Sequence, residues 1–107
     1  MTPNLNSIKD IFSKIELQNW DLSNSLKWGF FFISSEEVHL HKVFSELVDY
    51  EYKIINIHLN EGSEWVMQVS KIEKLEPEKL YHRCIAFNEL AEAYDCYYDG
   101  WDVEQSV

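Results

Sequence analysis

The chain reads as an α+β domain in which helices cover one side of an antiparallel sheet. Three observations predict this. Strand-like and helix-like segments alternate along the chain, the short stretch Asn60-Glu61-Gly62-Ser63 separates two strand-like runs, and a long amphipathic segment leads directly into a short aromatic one. Elements that are apolar on one side bury those sides together, and helices on one face of a sheet are the two-layer solution. At 107 residues there is room for one core, and three glycines with two prolines leave no candidate linker. Residues 1–107 are therefore taken as one domain, with 1–25 an N-terminal helix and its connection and 26–107 the core.

In residues 7–19, Ile8, Ile11, Phe12 and Ile15 recur at helical spacing, with Ser7 as the expected cap and Asp10 complementing the positive helix end. The polar residues 21–25 separate this helix from the main body. Lys27-Trp28-Gly29-Phe30-Phe31-Phe32-Ile33 is a strand by composition and length. Ser34 and Glu37 form a capping-box pattern for a helix whose stripe is Leu40, Val43, Phe44, Leu47 and Val48. Residues 52–59 and 65–72 alternate as strands, and Gly62 is expected to supply the positive φ of a hairpin between them. Pro77 sits at the first position of the last helix, where its missing N–H costs nothing, and Leu80, Cys84, Phe87, Ala91 and Tyr94 give one buried stripe. Residues 96–104 are too aromatic and β-branched for a loop and too short for another helix. The order helix–β–α–β–β–α–β predicts a ferredoxin-like βαββαβ two-layer sandwich with an antiparallel sheet and an N-terminal helical extension.

The first strand carries a further implication. Trp28, Phe30 and Phe32 point one way, and Phe31 and Ile33 the other, so both of its faces are apolar. The second face is expected to be covered, by the N-terminal helix in the simplest arrangement, or else by a second copy or a partner.

Nine basic against nineteen acidic side chains give a formal charge of −10. Bare nucleic acid and anionic membranes both require positive potential, so neither is an expected partner; a protein with a basic surface is. The N-terminus has neither a basic region nor an apolar run, and no apolar stretch approaches the roughly 20 residues needed to cross a bilayer. Cys84 and Cys96 are too few for a disulfide framework and read as reduced packing residues of a cytoplasmic protein.

Catalytic and metal chemistry find no footing. His39 and His41 stand two apart on a helix and so point to different faces; His58 and His82 lie elsewhere. Zinc needs three or four converging ligands, and no Cys-x-x-Cys or His-Glu-x-x-His spacing occurs. With three glycines in all, a phosphate-cradling loop is absent, and no Gly-x-Ser-x-Gly elbow is present. The expectation is a protein that is not an enzyme and holds no cofactor or metal.

The acidic residues matter instead as a surface. Asp95, Asp99, Asp102 and Glu104 crowd the end of the chain beside Tyr97, Tyr98 and Trp101, while Glu89 and Glu92 decorate the last helix. Aromatic anchors supply contact area and carboxylates supply steering toward an Arg- and Lys-rich target. Glu89, Glu92, Tyr98, Asp99, Trp101 and Asp102 are the candidate partner-binding set. The ring of Trp101, on a terminal strand, is expected to pack on a helix.

The run Leu90-Ala91-Glu92-Ala93-Tyr94-Asp95-Cys96-Tyr97-Tyr98-Asp99-Gly100-Trp101 resembles the bacterial ribonuclease E inhibitor family, the RraB-like proteins. Members close a small α/β domain with a helix, an acidic-aromatic strand and the tetrapeptide at Tyr98 to Trp101. Asp102 stands where members commonly continue with glycine, and the acidic stretch between the hairpin strands is shortened here to Asn60-Glu61-Gly62-Ser63-Glu64. The resemblance covers roughly residues 27–104. It implies the same fold and a non-enzymatic regulator that docks on a nuclease or its assembly. Two other readings remain open: an immunity protein neutralising a basic nuclease toxin, and a small-molecule-binding module with a pocket lined by Trp28, Trp65 and Trp101. A homodimer is compatible with all three.

Overall fold

Helix α1 spans Leu5–Leu17 and begins one turn earlier than its apolar spacing suggests, because Asn4 is the cap: its Oδ1 accepts from the Ser7 amide at 3.1 Å. Ser7, expected as the cap, is instead the residue whose amide is capped. The helix ends in a Schellman motif, with Asn19 left-handed (φ 63°) and the Trp20 amide donating to the Ile15 carbonyl at 3.4 Å. A computed structural model of the chain describes residues 2–21 and 25–105. The polar connection assigned to 21–25 thus lies largely outside the described residues.

Strand β1 covers Leu26–Ser34, and α2 covers Glu37–Leu47 with a 3-10 turn at Val48–Tyr50. The capping box expected of Ser34 and Glu37 does not form. Glu36 is the cap position and makes no side-chain cap bond; Ser34, still in the strand, accepts from the Glu36 amide at 3.3 Å, and Glu37 pairs with His41. Strands β2 (Lys53–Leu59) and β3 (Trp65–Glu73) form the hairpin. Its positive φ belongs to Ser63 (63°) and not to Gly62. The Ser63 amide closes a turn onto the Asn60 carbonyl at 3.1 Å, and Asn60 Oδ1 accepts from the Glu64 amide at 2.9 Å, so the asparagine side chain holds the turn that glycine was expected to permit. Helix α3 (Pro77–Ala93) has Pro77 in its first turn and closes in a second Schellman motif, with Asp95 left-handed and Cys96 N–H on the Ala91 carbonyl at 2.8 Å. β4 is Tyr97–Glu104.

The four strands form one antiparallel sheet in the order β2-β3-β1-β4. Alternation along β1 sends Leu26, Trp28, Phe30, Phe32 and Ser34 into the core, all at 5% exposure or less. Phe87 on α3 is the hub of that core: its ring meets Phe30 edge-on at 4.9 Å, with Phe32, Tyr98 and Tyr52 at 5.5–5.8 Å. Leu40, Val43 and Leu47 of α2, Met67 and Val69 of β3, Leu75, and Leu80, Cys84 and Ala91 of α3 belong to it.

Helix α1 joins this same cluster. Ile8 and Phe12 are buried in it, and Phe12 stacks on Trp28 at 5.7 Å with 21° between the rings. The expectation that α1 covers the second face of β1 is therefore corrected: α1 lies in the helical layer beside α3, with Lys9 reaching Glu78 at 3.6 Å. Stacking Phe12 on the indole of Trp28 there buries both rings, at 6% and 1% exposure. Across the sheet, Phe31 and Ile33 are half-buried and Tyr97 is 54% exposed; on β3, Val66 lies opposite Ile33 and Gln68 opposite Phe31.

Candidate protein-interaction surface

β4 brings the terminal aromatics and acids together, but onto different sides. Its register with β1 slips between Phe31 and Phe32, which face Gly100 and Tyr98, so Asp99 is the extra residue of a β-bulge. Gly100 takes φ 130°, a conformation that side chains avoid. Tyr98 and Trp101 both end up on the core side because of that slip. Tyr98 is 1% exposed, with its hydroxyl 3.3 Å from Cys84 Sγ, and burial pushes both the phenol and the thiol above their usual range. Tyr98 is thus a core residue whose side chain has almost no exposed surface. Trp101 is half-buried with its ring 5.8 Å from Trp28.

Asp102 goes to the opposite face. It lies across Gly29, close enough that a Cβ at Gly29 would fall 2.2 Å from Asp102 Oδ1. Burial there, helped by Glu104 and opposed by Lys27, raises the Asp102 pKa above its ordinary value. Lys27 pairs with Glu104 at 3.2 Å. Gly29 is thus required by close approach rather than by its backbone angle.

Between the free side of β4 and helix α1 runs an open groove of about 750 Å³. Ile11, Ile15 and Trp20 form one wall and Trp101 and Val103 the other; Asp99 and Asp102 stand at its rim, and Phe31 is reached across the bare Gly100. Of the six candidate residues, Asp99, Trp101 and Asp102 line this groove. Glu89 and Glu92 are exposed on α3 and do not line it. Ile11, Ile15 and Trp20 were not in the sequence-derived set. Their signal was there, in an apolar stripe wider than Phe12 and Ile8 alone need and a tryptophan just past the helix end.

The tryptophan-lined pocket does not assemble. Trp65 faces Ser34, six residues along β1 from Trp28, a separation of about 20 Å. One other cluster has the outline of a nucleophile chain: Ser34 Oγ lies 3.2 Å from His39 Nδ1, and His39 Nε2 lies 3.1 Å from Glu36. Ser34 is 4% exposed and donates to the Asp95 carbonyl at 3.3 Å, so its hydroxyl ties β1 to the end of α3 and is closed to a substrate. A second polar network, Arg83 bridging Glu73 at 2.6 and 3.0 Å and Tyr52 Oη at 2.6 Å, joins α3 to the sheet. Burial works against the Arg83 charge, but Glu73 and the Tyr52 oxygen outweigh it and hold the guanidinium above its ordinary pKa. Among the described residues no group of three or more His, Cys, Asp or Glu side chains is placed to hold a metal ion, and no helix is long and apolar enough to cross a membrane.

Comparison with curated proteins finds no match. The family model described as regulator of ribonuclease activity B matches residues 6–103, from the first turn of α1 almost to the end of β4. That span takes in all but the first residue of α1 and the last of β4, including both walls of the groove, and the chain belongs to the RraB family, the regulators of ribonuclease activity B.

Proposed function

We propose that this chain is a non-enzymatic regulator that docks on ribonuclease E or its assembly in the cytoplasm and lowers its activity. The observation that carries this reading is the family match over residues 6–103. The strand order β2-β3-β1-β4 supports regarding the core as a ferredoxin-like sandwich with α1 appended. The formal charge of −10 supports a basic protein surface as the target and argues against direct contact with RNA, whose phosphates it would repel. Asp99, Trp101 and Asp102 are the proposed contact residues. Glu89 and Glu92 act at longer range by steering the encounter, and Tyr98 supports the strand from beneath.

The test is cleavage of a short RNA by purified ribonuclease E with increasing amounts of the chain. Cleavage should fall as a stoichiometric complex forms, and association should slow as salt rises beyond about 0.15 M. Reversing charge at Glu89, Glu92, Asp99 and Asp102 should lower the on-rate about tenfold while the fold persists. Unchanged cleavage, with no complex at micromolar concentrations, would remove this reading.

A further inference from the structure

β4 is the outermost strand and, among the described residues, pairs only with β1. An edge strand presents a row of backbone donors and acceptors that can template another strand. No proline protects it, and the bulge at Asp99 interrupts it only near its start, leaving residues 100–104 in regular register with β1. Trp101 and Val103 share the side that faces the helical layer, while Asp102 and Glu104 share the other. A strand laid against this edge would therefore meet apolar groove on one side and carboxylates on the other.

We propose that this edge and groove accept an extended segment of a partner protein, in which arginine or lysine alternates with apolar residues, as a fifth strand of the sheet. The choice of occupant follows from charge. A second copy paired edge to edge would set Asp99, Asp102 and Glu104 against the same residues of a chain that also carries −10, and like charges facing across strands are destabilising. A basic segment reverses that term. Its apolar side chains reach Ile11, Ile15 and Trp20, its cationic ones reach Asp102 and Asp99, and its backbone takes up the β4 edge, so main-chain bonds supply affinity and the alternation supplies specificity. A helix could fill the groove but would leave the strand edge unpaired. The inference deepens the partner-binding reading by naming the part of the partner that is held.

The probe is a synthetic peptide alternating arginine and valine, added to the full chain. A control peptide of the same sequence is N-methylated at every second residue, which keeps charge and apolarity but removes the backbone donors. Hydrogen exchange over residues 100–104 should slow with the first peptide and not with the second. Ile11→Glu, at a side chain already 39% exposed, should weaken binding about tenfold by placing charge in the groove without disturbing the core. Binding with unchanged exchange over residues 100–104, equal binding of both peptides, or no binding of either would each overturn the proposal. Ribonuclease E inhibition is read separately: a chain that takes the peptide but leaves the enzyme unaffected keeps the edge site and loses the regulator role.

Discussion

Replacing Phe12 with alanine tests the placement of α1 most directly. Phe12 is 6% exposed, and its ring lies 5.7 Å from that of Trp28 at 21°, the geometry of a stacked pair. Truncating a buried phenylalanine costs about 3–5 kcal/mol in transfer and cavity terms. Phe12 lies at the end of the core on a terminal helix that can settle inward, so the low end, about 3 kcal/mol, is expected. That is a large part of the roughly 5–15 kcal/mol that stabilises a domain. With a urea slope of about 1.5 kcal/mol/M, the midpoint should fall by about 2 M, and tryptophan emission should shift as Trp28 gains water. Ile11→Ala, at a 39% exposed position on the same helix, should cost under about 1 kcal/mol and serves as the internal control. Equal midpoints for Phe12→Ala and the parent chain would mean that α1 does not seal the Trp28 end of the core.

Three further outcomes follow from individual contacts. Arg83→Met should cost about 3 kcal/mol in urea unfolding, since Glu73, with its side chain 13% exposed, loses its partner, and adding Glu73→Leu should recover much of that loss. Burial, opposed by Arg83, pushes the Tyr52 hydroxyl up to about 12 from an ordinary 10. The unfolded chain therefore releases this proton first, so the contribution of Tyr52 is complete below pH 10 and is lost as pH rises from 10 to about 12. Urea midpoints should decline over that window, and less steeply in Tyr52→Phe; identical profiles would refute the assignment. Gly29→Ala should cost about 1 kcal/mol by expelling the Asp102 carboxylate, and Asp102→Ala in the same chain should restore the midpoint.

Local rules written into the chain are enough to identify its elements. The period of two in Trp28, Phe30 and Phe32, the spacing of Leu80, Cys84, Phe87 and Ala91, and proline at the start of α3 each fix an element from its own residues, because burial must follow the geometry of the backbone. The terminal run through Tyr98-Asp99-Gly100-Trp101 was likewise enough to indicate the family that residues 6–103 match. Turn chemistry was less legible. Asn60 and Ser63 did what Gly62 was expected to do, and Asn4 displaced Ser7, because several polar residues compete for the same few unpaired amides. What only the tertiary structure decided is the destination of each apolar stripe. An amphipathic helix must cover something, but its sequence does not say which surface; here α1 lies in the helical layer, where Phe12 and Trp28 bury each other. The candidate surface was divided for a similar reason. One extra residue at Asp99 reverses the parity of β4, burying Tyr98 with Trp101 on its own side while Asp102 crosses to lie on Gly29, and a bulge is a property of two paired strands that neither strand reveals alone.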